Sequence, residues 1–594
     1  MMRDESTILG PFIGHTTTVS AKIWIYAENR SPFFIAIYKN GQKIKSAQFN
    51  FSGEIPAACV EIEGLQPDQK YDYLLFLDEE NNQVLAIDSL TADDLHFYTL
   101  PEALTSGYRY DFLVMSCHNP AEAVERGYPN TSWNVWQALP QILEETTRTA
   151  SEIRQRRVLF ALLIGDQIYA DEIEKAVLQE NEERTRINHY LNIYTQFWDN
   201  KAYRKVLCSL PAYLMWDDHD ITDGWGSRED AYAETSAEMS QDWKNLFSSA
   251  RKAFSFMQAS RNPEPLTPDG FDIAFQIGRA GFVLADLRSN RNIQGKKLWL
   301  DSQFQAVKSW IEAKRSELDI LFFISTVVFA HGAPKIETGI LKYWPPHLHD
   351  FFDRVWEKQA RFSSLRKTIT NYALGIFFVL FFLFSPPIFS IVLVILFFLL
   401  CYIQPGFFLS HLFANLLPPA FVNYYYNAIG DLRDDIHDSW YSDANKARAE
   451  EVLNYFFDLQ NDDNDNTQLY VCILSGDIHT AGYSNIYSIN PQHAKRPIIN
   501  HIVASPVSYP PFNWLGEAFH RKYTPGAVSL GTSGQFQAQI AHHFTERNVL
   551  VCSLRDYGEK NLQLKAKFYT EKFPEPQTSV FDLEKSSHKE NIKW

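Results

Sequence analysis

The sequence lacks a surplus of basic residues, closely spaced cysteines and a basic, apolar start. Its formal net charge of −16 argues against general nucleic-acid binding, because that function needs a basic face. The six cysteines lie far apart, mostly within apolar runs that are typical of buried thiols. A reducing compartment therefore fits better than a disulfide framework. Residues 1–14 have no basic segment followed by an apolar one, so we expect no signal peptide.

The composition is otherwise that of a globular protein with a sizeable core. Hydrophobic residues make up 45% of the chain and charged residues 21%, a balance that allows extensive burial. At 594 residues the chain is too long for one ordinary domain. We therefore expect two or three domains.

Residues 8 to about 100 read as short strands separated by turns, with no helical stretch. Turn signals occur at Asn40-Gly41 and at Pro67-Asp68. Apolar residues alternate along segments 20–26, 33–38 and 71–77. This pattern predicts a small β-sandwich over residues 1–105, and residues 64–71 resemble the loop before a late strand in fibronectin type III domains.

From Tyr108 onward, apolar runs that end in polar residues alternate with long helical stretches. Fully apolar strands imply a sheet covered on both faces, hence a layered α/β domain. Functional sites in such sheets lie at the carboxyl ends of the strands. The runs are 111–115, 158–164, 212–216, 282–285, 320–324 and 469–474.

No Asp, Glu, Lys or Arg occurs between Thr368 and Gly430. Two almost wholly apolar arms, 372–384 and 388–403, are divided by Pro386-Pro387. Each arm is shorter than the about 20 residues that cross a bilayer as a helix, so we expect a bent hairpin that enters and leaves one membrane face. Two full crossings of a thinned bilayer, which give the same topology, and a buried core hairpin are the alternatives. Basic residues precede the arms and predict contact with an anionic, cytoplasmic leaflet: Arg354, Lys358, Arg361, Arg366 and Lys367.

These features divide the chain into four parts. The β-sandwich is followed by a catalytic domain in two pieces, interrupted by the basic approach and the membrane hairpin. The end of the chain, from Glu575, is polar and of mixed charge, and is expected to be disordered. The predicted ranges are 1–105 for the β-sandwich, 106–352 with 432–575 for the catalytic domain, 353–431 for the basic approach and hairpin, and 576–594 for the tail.

Four groups of polar residues follow apolar strands. They offer carboxylate, imidazole, thiol and phenol donors that suit di- or trivalent cations. Taken singly, a Gly-Asp pair is often a turn, a Cys is often a buried thiol, and an acidic cluster is often solvated. Three carboxylates around one histidine nevertheless repel unless cations balance them. The groups are Ser116-Cys117-His118-Asn119, Gly165-Asp166-Gln167-Ile168-Tyr169-Ala170-Asp171, Trp216-Asp217-Asp218-His219-Asp220 and Ser475-Gly476-Asp477-Ile478-His479.

This series resembles the PhoD (alkaline phosphatase D) family of calcineurin-like metallophosphoesterases. The resemblance spans most of residues 8–570 apart from the insertion, and the second and third groups are quite specific to that family. Further matching segments are 286–291 and 301–311. The β-rich amino-terminal domain is also similar to one that PhoD-like proteins carry.

The resemblance implies roles for individual residues. His219 is implied to act as an acid or electrostatic stabiliser beside the phosphate, and Arg288, with Arg291, either to order the site or to meet phosphate oxygens. The cations are implied to lower the pKa of a bound water for attack on the phosphate ester. Implied ligands are Cys117, Asp166, Tyr169 and His479 for a ferric ion, and Asp166, Asp218 and Asp477 for calcium or another divalent cation.

The sequence departs from the family pattern in three places. Asp220 stands where the family usually has Glu. No late ligand strand is evident, and His331 is a weak candidate for its ligand. The insertion between Asp353 and Asp431 is also unusual. These departures bear on the metals and the substrate more than on the reaction class.

The sequence thus predicts a phosphomono- or phosphodiesterase that acts at a membrane surface, with its catalytic domain on the cytoplasmic face. The hairpin makes membrane lipid a predicted partner. A phospholipase D-type phosphodiesterase acting on lipid headgroups is one alternative, since that specificity also occurs among PhoD-like proteins. A non-catalytic membrane adaptor is another, although the intact set of donors argues against it.

Overall fold

The computed structural model describes most of the chain outside the apolar insertion. The described residues are 7–30, 32–51, 53–80, 83–87, 90–101, 109–120, 135–148, 158–226, 239–291, 298–330, 438–442, 444–462, 464, 468–510, 526–556, 562–570 and 577–582.

The amino-terminal region is a β-sandwich, as predicted. Its two antiparallel sheets have the strand orders β1-β2-β5 and β4-β3-β6-β7. Asn40 and Gly41 both have positive φ (51° and 76°) in the turn between β3 and β4, which fits the Asn-Gly signal. The strands are β1 (Ile8–Thr16), β2 (Ser20–Ala27), β3 (Phe34–Lys39), β4 (Gln42–Gln48), β5 (Ala57–Glu63), β6 (Lys70–Phe76) and β7 (His96–Tyr98).

The remaining strands build two larger mixed sheets. They are β8 (Arg109–Met115), β9 (Val158–Ile164), β10 (Ala212–Met215), β11 (Ile273–Ile277), β12 (Ala280–Ala285), β13 (Ile320–Ser325), β14 (Tyr470–Ser475), β15 (Ala481–Ser488), β16 (Ile498–Val503), β17 (Ala527–Leu530), β18 (Phe536–Phe544), β19 (Asn548–Asp556), β20 (Leu562–Thr570) and β21 (Gln577–Asp582). One sheet has the order β10-β9-β8-β19-β20-β21, and the other β11-β12-β13-β14-β16-β15-β18-β17. The parallel neighbours are β8, β9 and β10, which run from one edge of the first sheet inwards, and β12, β13, β14 and β16, which lie in the interior of the second.

A phenylalanine core joins the two sheets. Phe112 on β8 contacts Phe160 within its own sheet (centroids 5.2 Å apart) and Phe282 on β12 of the other sheet (5.3 Å). Phe282 in turn stacks on Phe322 of β13 at 5.0 Å. All four rings are buried. The fully apolar runs in the sequence are therefore strands covered on both faces, which confirms the predicted α/β class.

Helices connect and cover the strands. They are α1 (Val135–Arg148), α2 (Glu174–Gln179), α3 (Glu183–Trp198), α4 (Lys201–Leu207), α5 (Gln241–Met257), α6 (Asp301–Lys314) and α7 (Lys446–Gln460). Helix α3 buries Tyr190, Tyr194 and Trp198, one residue per turn along a single face. The indole of Trp198 donates to the carbonyl of Gln167 (3.1 Å), so this face supports the loop after β9.

The end of the chain differs from its prediction, and the apolar insertion is not described. The tail was expected to be disordered from Glu575, but Gln577–Asp582 pairs antiparallel with β20. For these six residues the expectation was wrong, because the edge of β20 offers backbone groups that a polar segment can pair with as well as an apolar one. The rest of the tail lies outside the described residues. The predicted hairpin at 353–431 and His331 lie outside the described residues. Within the described ranges, no helix is both long enough and apolar enough to cross a bilayer.

Candidate metal centre

The predicted groups converge where the strands β8, β9, β10 and β14 end. Four ligand candidates there have left-handed backbone conformations, which are strained for residues other than glycine: Cys117 (φ 58°), Asp166 (54°), Asp477 (75°) and His479 (50°). The described part of the chain has seven non-glycine residues with positive φ, and four of the seven are in this centre. Strain of this kind persists where surrounding structure enforces it, which is common at functional sites.

The first half of the centre combines thiol, carboxylate, imidazole and phenol. Cys117 Sγ lies 3.4 Å from Asp166 Oδ2, and His479 offers a nitrogen within 4.8 Å of both donors. The Tyr169 hydroxyl lies 3.1 Å from His479 Nε2. The structure thus brings together all four residues that the resemblance assigned to a ferric ion. We call Cys117, Asp166, Tyr169 and His479 the thiol half-site.

The second half of the centre is built from carboxylates. Oxygens of Asp166, Asp217, Asp218 and Asp477 lie within 4.8 Å of one another, and all four side chains are buried. Asp166, Asp218 and His219 form a further group of the same dimensions. We call Asp166, Asp217, Asp218 and Asp477 the carboxylate half-site. Asp166 belongs to both half-sites, the position expected of a bridging ligand.

Buried oxygens without partners show that the donor set fits cations. Asp166 Oδ1 and Asp477 Oδ2 are buried and make no hydrogen bond. A buried polar atom left unpaired costs about 1–3 kcal/mol, and more when the group is charged. Bound cations would satisfy these oxygens, and no described side chain does so.

The electrostatics lead to the same conclusion. Burial raises the pKa of Asp166 and of Asp477 well above the usual range, and the neighbouring carboxylates raise it further. Burial, followed by the charge of Asp166, also raises the pKa of the Cys117 thiol. Without a cation these surroundings favour the protonated forms of all three groups. Positive charge at the centre would restore the ionised forms that bind metal.

His219 lies at the accessible edge of the centre. Its Nδ1 is 2.9 Å from Asp171 Oδ2, its ring stacks on Tyr169 (centroids 4.2 Å apart), and its side chain is 18% exposed. Burial lowers the pKa of His219, but Asp171 and Asp218 outweigh that effect and raise it well above the usual range. These carboxylates therefore favour the protonated imidazole, and its side chain is within reach of solvent.

Arg288 lies beneath the carboxylates rather than at the opening. Its side chain is fully buried and forms ion pairs with Asp217 and Asp438, while Nη2 is 3.3 Å from Asp218 Oδ1. Arg291 binds the other oxygen of Asp438 at 2.8 Å. Of the two roles that the resemblance left open for Arg288, this arrangement favours ordering the site. A direct contact with phosphate stays a prediction.

Asp220 does not point its carboxylate at the metal donors. Its Oδ2 accepts hydrogen bonds from the backbone amides of Asp166 (3.0 Å) and Asp217 (2.9 Å), and its Oδ1 accepts one from Gln258 Nε2 (2.8 Å). This side chain therefore ties together the two loops that follow β9 and β10. Asp220, which stands where the family usually has Glu, therefore holds the loops that carry the ligand candidates and is not itself among those candidates.

Sequence reasoning missed several residues of the centre. The motif Asp217-Asp218-His219-Asp220 does not by itself assign a role to Asp217, and no motif points to Asp438, Ser505 or Tyr509. Ser505 Oγ lies 3.0 Å from Cys117 Sγ, and the ring of Tyr509 stacks on His479 at 3.7 Å. The available signal is that Ser505 follows a strand, β16, as the other site residues follow theirs, but Asn500 and His501 make that strand less apolar.

Comparisons with known proteins agree with this architecture. Residues 112–318 match the family model of PhoD-like phosphatases, and residues 4–91 match a domain of unknown function, DUF7800. The uncharacterised protein YGR266W of Saccharomyces cerevisiae is 26% identical over 193 residues, covering 26% of this chain and 25% of the yeast protein. The chain therefore matches about a quarter of that relative's length. The solved structure of PhoD is similar with a TM-score of 0.52 and 14% identity, over 97% of this chain and 89% of the other, which shows a shared fold.

A two-sheet α/β sandwich with clustered acidic, imidazole and thiol donors at its strand ends defines a hydrolase of the metallophosphoesterase class. Residues 112–318 match the PhoD-like phosphatase family, and the chain shares the fold of PhoD. The predicted family and enzyme class are thereby confirmed. The matched segment contains Cys117, Asp166 and His219 and ends before Asp477, so the roles of individual residues and the identity of the cations stay predictions.

Proposed function

We propose that this chain is a metal-dependent phosphoesterase that holds a ferric ion in the thiol half-site and one or more calcium-like divalent cations in the carboxylate half-site. The observation that carries the proposal is the position of Asp166, which belongs to every group of metal donors found among the described residues. One carboxylate shared between two donor sets of different character suits a pair of unlike cations.

The cations, when bound, supply Lewis-acid polarisation of the phosphoryl group and a water of lowered pKa. The protein's part is to place and charge the surrounding groups. Arg288 holds Asp217 and Asp218 in register for the carboxylate half-site. His219, whose pKa is raised and whose side chain is 18% exposed, would stabilise charge on the phosphate and donate a proton to the departing oxygen.

The membrane association is a proposal as well, and it rests on the chain's sequence. Cys117, Asp166 and His219 precede the uncharged stretch from Thr368 to Gly430, while Asp477 and His479 follow it. Residues on both sides of that stretch build one centre, so its two ends lie on the same side of any membrane that it enters. A hairpin that enters and leaves one face meets this condition, and the basic approach makes that face cytoplasmic.

The uncharged stretch also supports a second candidate, a phospholipase D-type phosphodiesterase. A membrane-inserted hairpin within the catalytic domain would hold the centre near lipid headgroups. The same hairpin would equally anchor an enzyme for soluble esters, so the phosphoester class is decided by assay.

A substrate panel with metal analysis tests these proposals. Purified protein should contain iron and hydrolyse p-nitrophenyl phosphate, bis(p-nitrophenyl) phosphate or both, and release of headgroups from phospholipid vesicles would favour the phospholipase reading. Asp166→Asn should lose activity and bound metal, whereas Asp269→Asn, which alters an exposed carboxylate, should behave as wild type. Metal-free protein that is inactive on every ester would support the adaptor reading instead.

Replacing residues 353–431 by a short polar linker tests the membrane proposal separately. The variant should keep its activity on soluble esters and lose its binding to vesicles. Unchanged vesicle binding would contradict the proposed hairpin and leave the phosphoesterase proposal intact.

A further inference from the structure

We infer that the segment from Ser505 to Tyr509, which follows β16, positions the thiol half-site: Ser505 is the hydrogen-bond donor to the Cys117 sulfur, and Tyr509 fixes the ring of His479. This inference rests on the proposed function and deepens it. Neither residue is itself a ligand candidate, so both are positioning residues.

Backbone hydrogen bonds fix the segment against the loop that carries Cys117. The amide of Val507 donates to the carbonyl of Ser116 (2.8 Å), and the amide of Tyr509 donates to the carbonyl of Cys117 (3.2 Å). On its other side, the amide of Asn548 donates to the carbonyl of Pro506 (2.8 Å). The segment is therefore held between β8 and β19, and its side chains reach the centre from a fixed backbone.

The hydroxyl of Ser505 lies between two loops that carry ligand candidates. It is fully buried, 3.0 Å from Cys117 Sγ and 3.1 Å from the carbonyl oxygen of Asp477. A thiol at Cys117 can donate to that carbonyl, since the two atoms are 3.1 Å apart. In the structure the Ser505 hydroxyl donates its one proton to the Asp477 carbonyl. A metal-bound thiolate has no proton and carries negative charge, so the hydroxyl, 3.0 Å away, would donate to the sulfur instead. Hydrogen bonds to a ligating sulfur withdraw its electron density and tune the reduction potential of the metal.

The ring of Tyr509 determines which way His479 faces. The two rings stack with centroids 3.7 Å apart and an interplanar angle of 18°. The hydroxyl of Tyr169 lies 3.1 Å from Nε2 of the same imidazole. Because Tyr509 restrains the plane of the imidazole, Nε2 of His479 stays directed at the other donors of the thiol half-site. This effect requires the aromatic face and not the phenol group.

Three variants and one matched control test the inference. Ser505→Ala removes the hydroxyl next to sulfur, Tyr509→Leu removes the ring, and Tyr509→Phe restores the ring without its hydroxyl. Ser508→Ala is the control, because it removes a buried hydroxyl of the same segment whose partner is His118 Nδ1 (2.9 Å), outside the thiol half-site. The readouts are iron content, the visible absorption band, its reductive titration and the rate of iron loss to a chelator.

Ser505→Ala should keep its iron and shift both the band and the reductive midpoint, the midpoint towards more negative potential because a donor to sulfur is lost. Tyr509→Leu should lower iron affinity by about 10–100-fold, the usual effect of removing an outer partner of a metal ligand. Tyr509→Phe and Ser508→Ala should match wild type in all four readouts.

Each contrary result has its own meaning. Iron-containing wild type with unchanged band, midpoint and chelation rate in Ser505→Ala and Tyr509→Leu would overturn the inference and leave the phosphoesterase proposal standing. Equal iron loss in Ser508→Ala would show that the segment supports only the fold, again overturning the inference. An active wild type that contains no iron would refute the metal assignment, and the inference with it.

Discussion

The hydroxyl of Tyr169 lies 3.1 Å from Nε2 of His479, although 310 residues separate the two in the sequence. Tyr169 follows β9 of one sheet and His479 follows β14 of the other. The contact therefore joins the two sheets at their carboxyl ends. It also joins the parts of the chain before and after the apolar insertion, so a functional centre requires both.

The Tyr169 hydroxyl is the phenol donor of the thiol half-site, and its removal should be visible. Tyr169→Phe should abolish the charge-transfer band of iron-loaded protein, because a phenolate on ferric iron produces that band. Absorption spectra of protein with measured iron content provide the test. Tyr73 lies in the amino-terminal sandwich, and its buried hydroxyl donates to the Cys208 carbonyl. Tyr73→Phe removes that hydroxyl and should keep the band. A band that persists in Tyr169→Phe would contradict the ligand assignment.

His219 should affect turnover and not metal binding. His219→Ala should reduce kcat by about 10²–10⁴-fold, the usual contribution of a positioned acid or base. Its metal content should stay near that of wild type, because the buried donors of both half-sites remain. Steady-state kinetics and metal analysis of the same preparation measure both quantities. His96→Ala, in the amino-terminal sandwich, serves as the control, and equal kcat in both variants would make His219 structural.

Asp171 should determine the upper pH limit of activity through His219. The Asp171 carboxylate, 2.9 Å from Nδ1, raises the pKa of His219. If the protonated imidazole is the active form, activity is present below that pKa and is lost as the pH rises through it. Asp171→Asn should therefore move the basic limb of the kcat profile to lower pH. Asp223→Asn, whose Oδ1 is 3.9 Å from Nε2, should produce a smaller shift, and a shift to higher pH would exclude this role for Asp171.

Asp220 should matter for stability as well as for metal retention. Asp220→Ala leaves the buried amides of Asp166 and Asp217 without their acceptor, and each unsatisfied donor costs about 1–3 kcal/mol. The free energy of unfolding in urea should fall accordingly, and metal should dissociate faster. Asp269→Ala, at an exposed position, should change neither quantity. Unchanged stability in Asp220→Ala would show that other groups or water satisfy the two amides.

Strong local signals made much of this structure predictable from the sequence. Segment 158–164 is predicted to the residue, because a short, wholly apolar run that ends in Gly-Asp is typical of a buried strand followed by a turn. The turn at Asn40-Gly41 was equally clear. The six assigned ligand candidates share short motifs at strand ends, and parallel strands bring such ends to one edge.

Features that depend on tertiary context were not predictable. Ser505 and Tyr509 act on their neighbours through position alone, since a serine and a tyrosine after a strand are ordinary residues. Asp438 is one of many acids in the chain until the fold brings it to Arg288 and Arg291. The strand Gln577–Asp582 depends on the edge that β20 provides, so its polar sequence carried no signal of its own.

The neighbouring strands β13 and β14 have a consequence for how the protein is made. They pair in parallel, Ile320 beside Tyr470, with the whole apolar insertion between them in the sequence. A chain emerging from the ribosome therefore presents Cys117, Asp166 and His219 well before Asp477 and His479 are synthesised. Closing so long a loop costs little more than closing a shorter one, because the entropy grows only with the logarithm of length. Metal loading thus becomes a late event in biogenesis, and nascent chains that stop before β14 carry only part of the donor set.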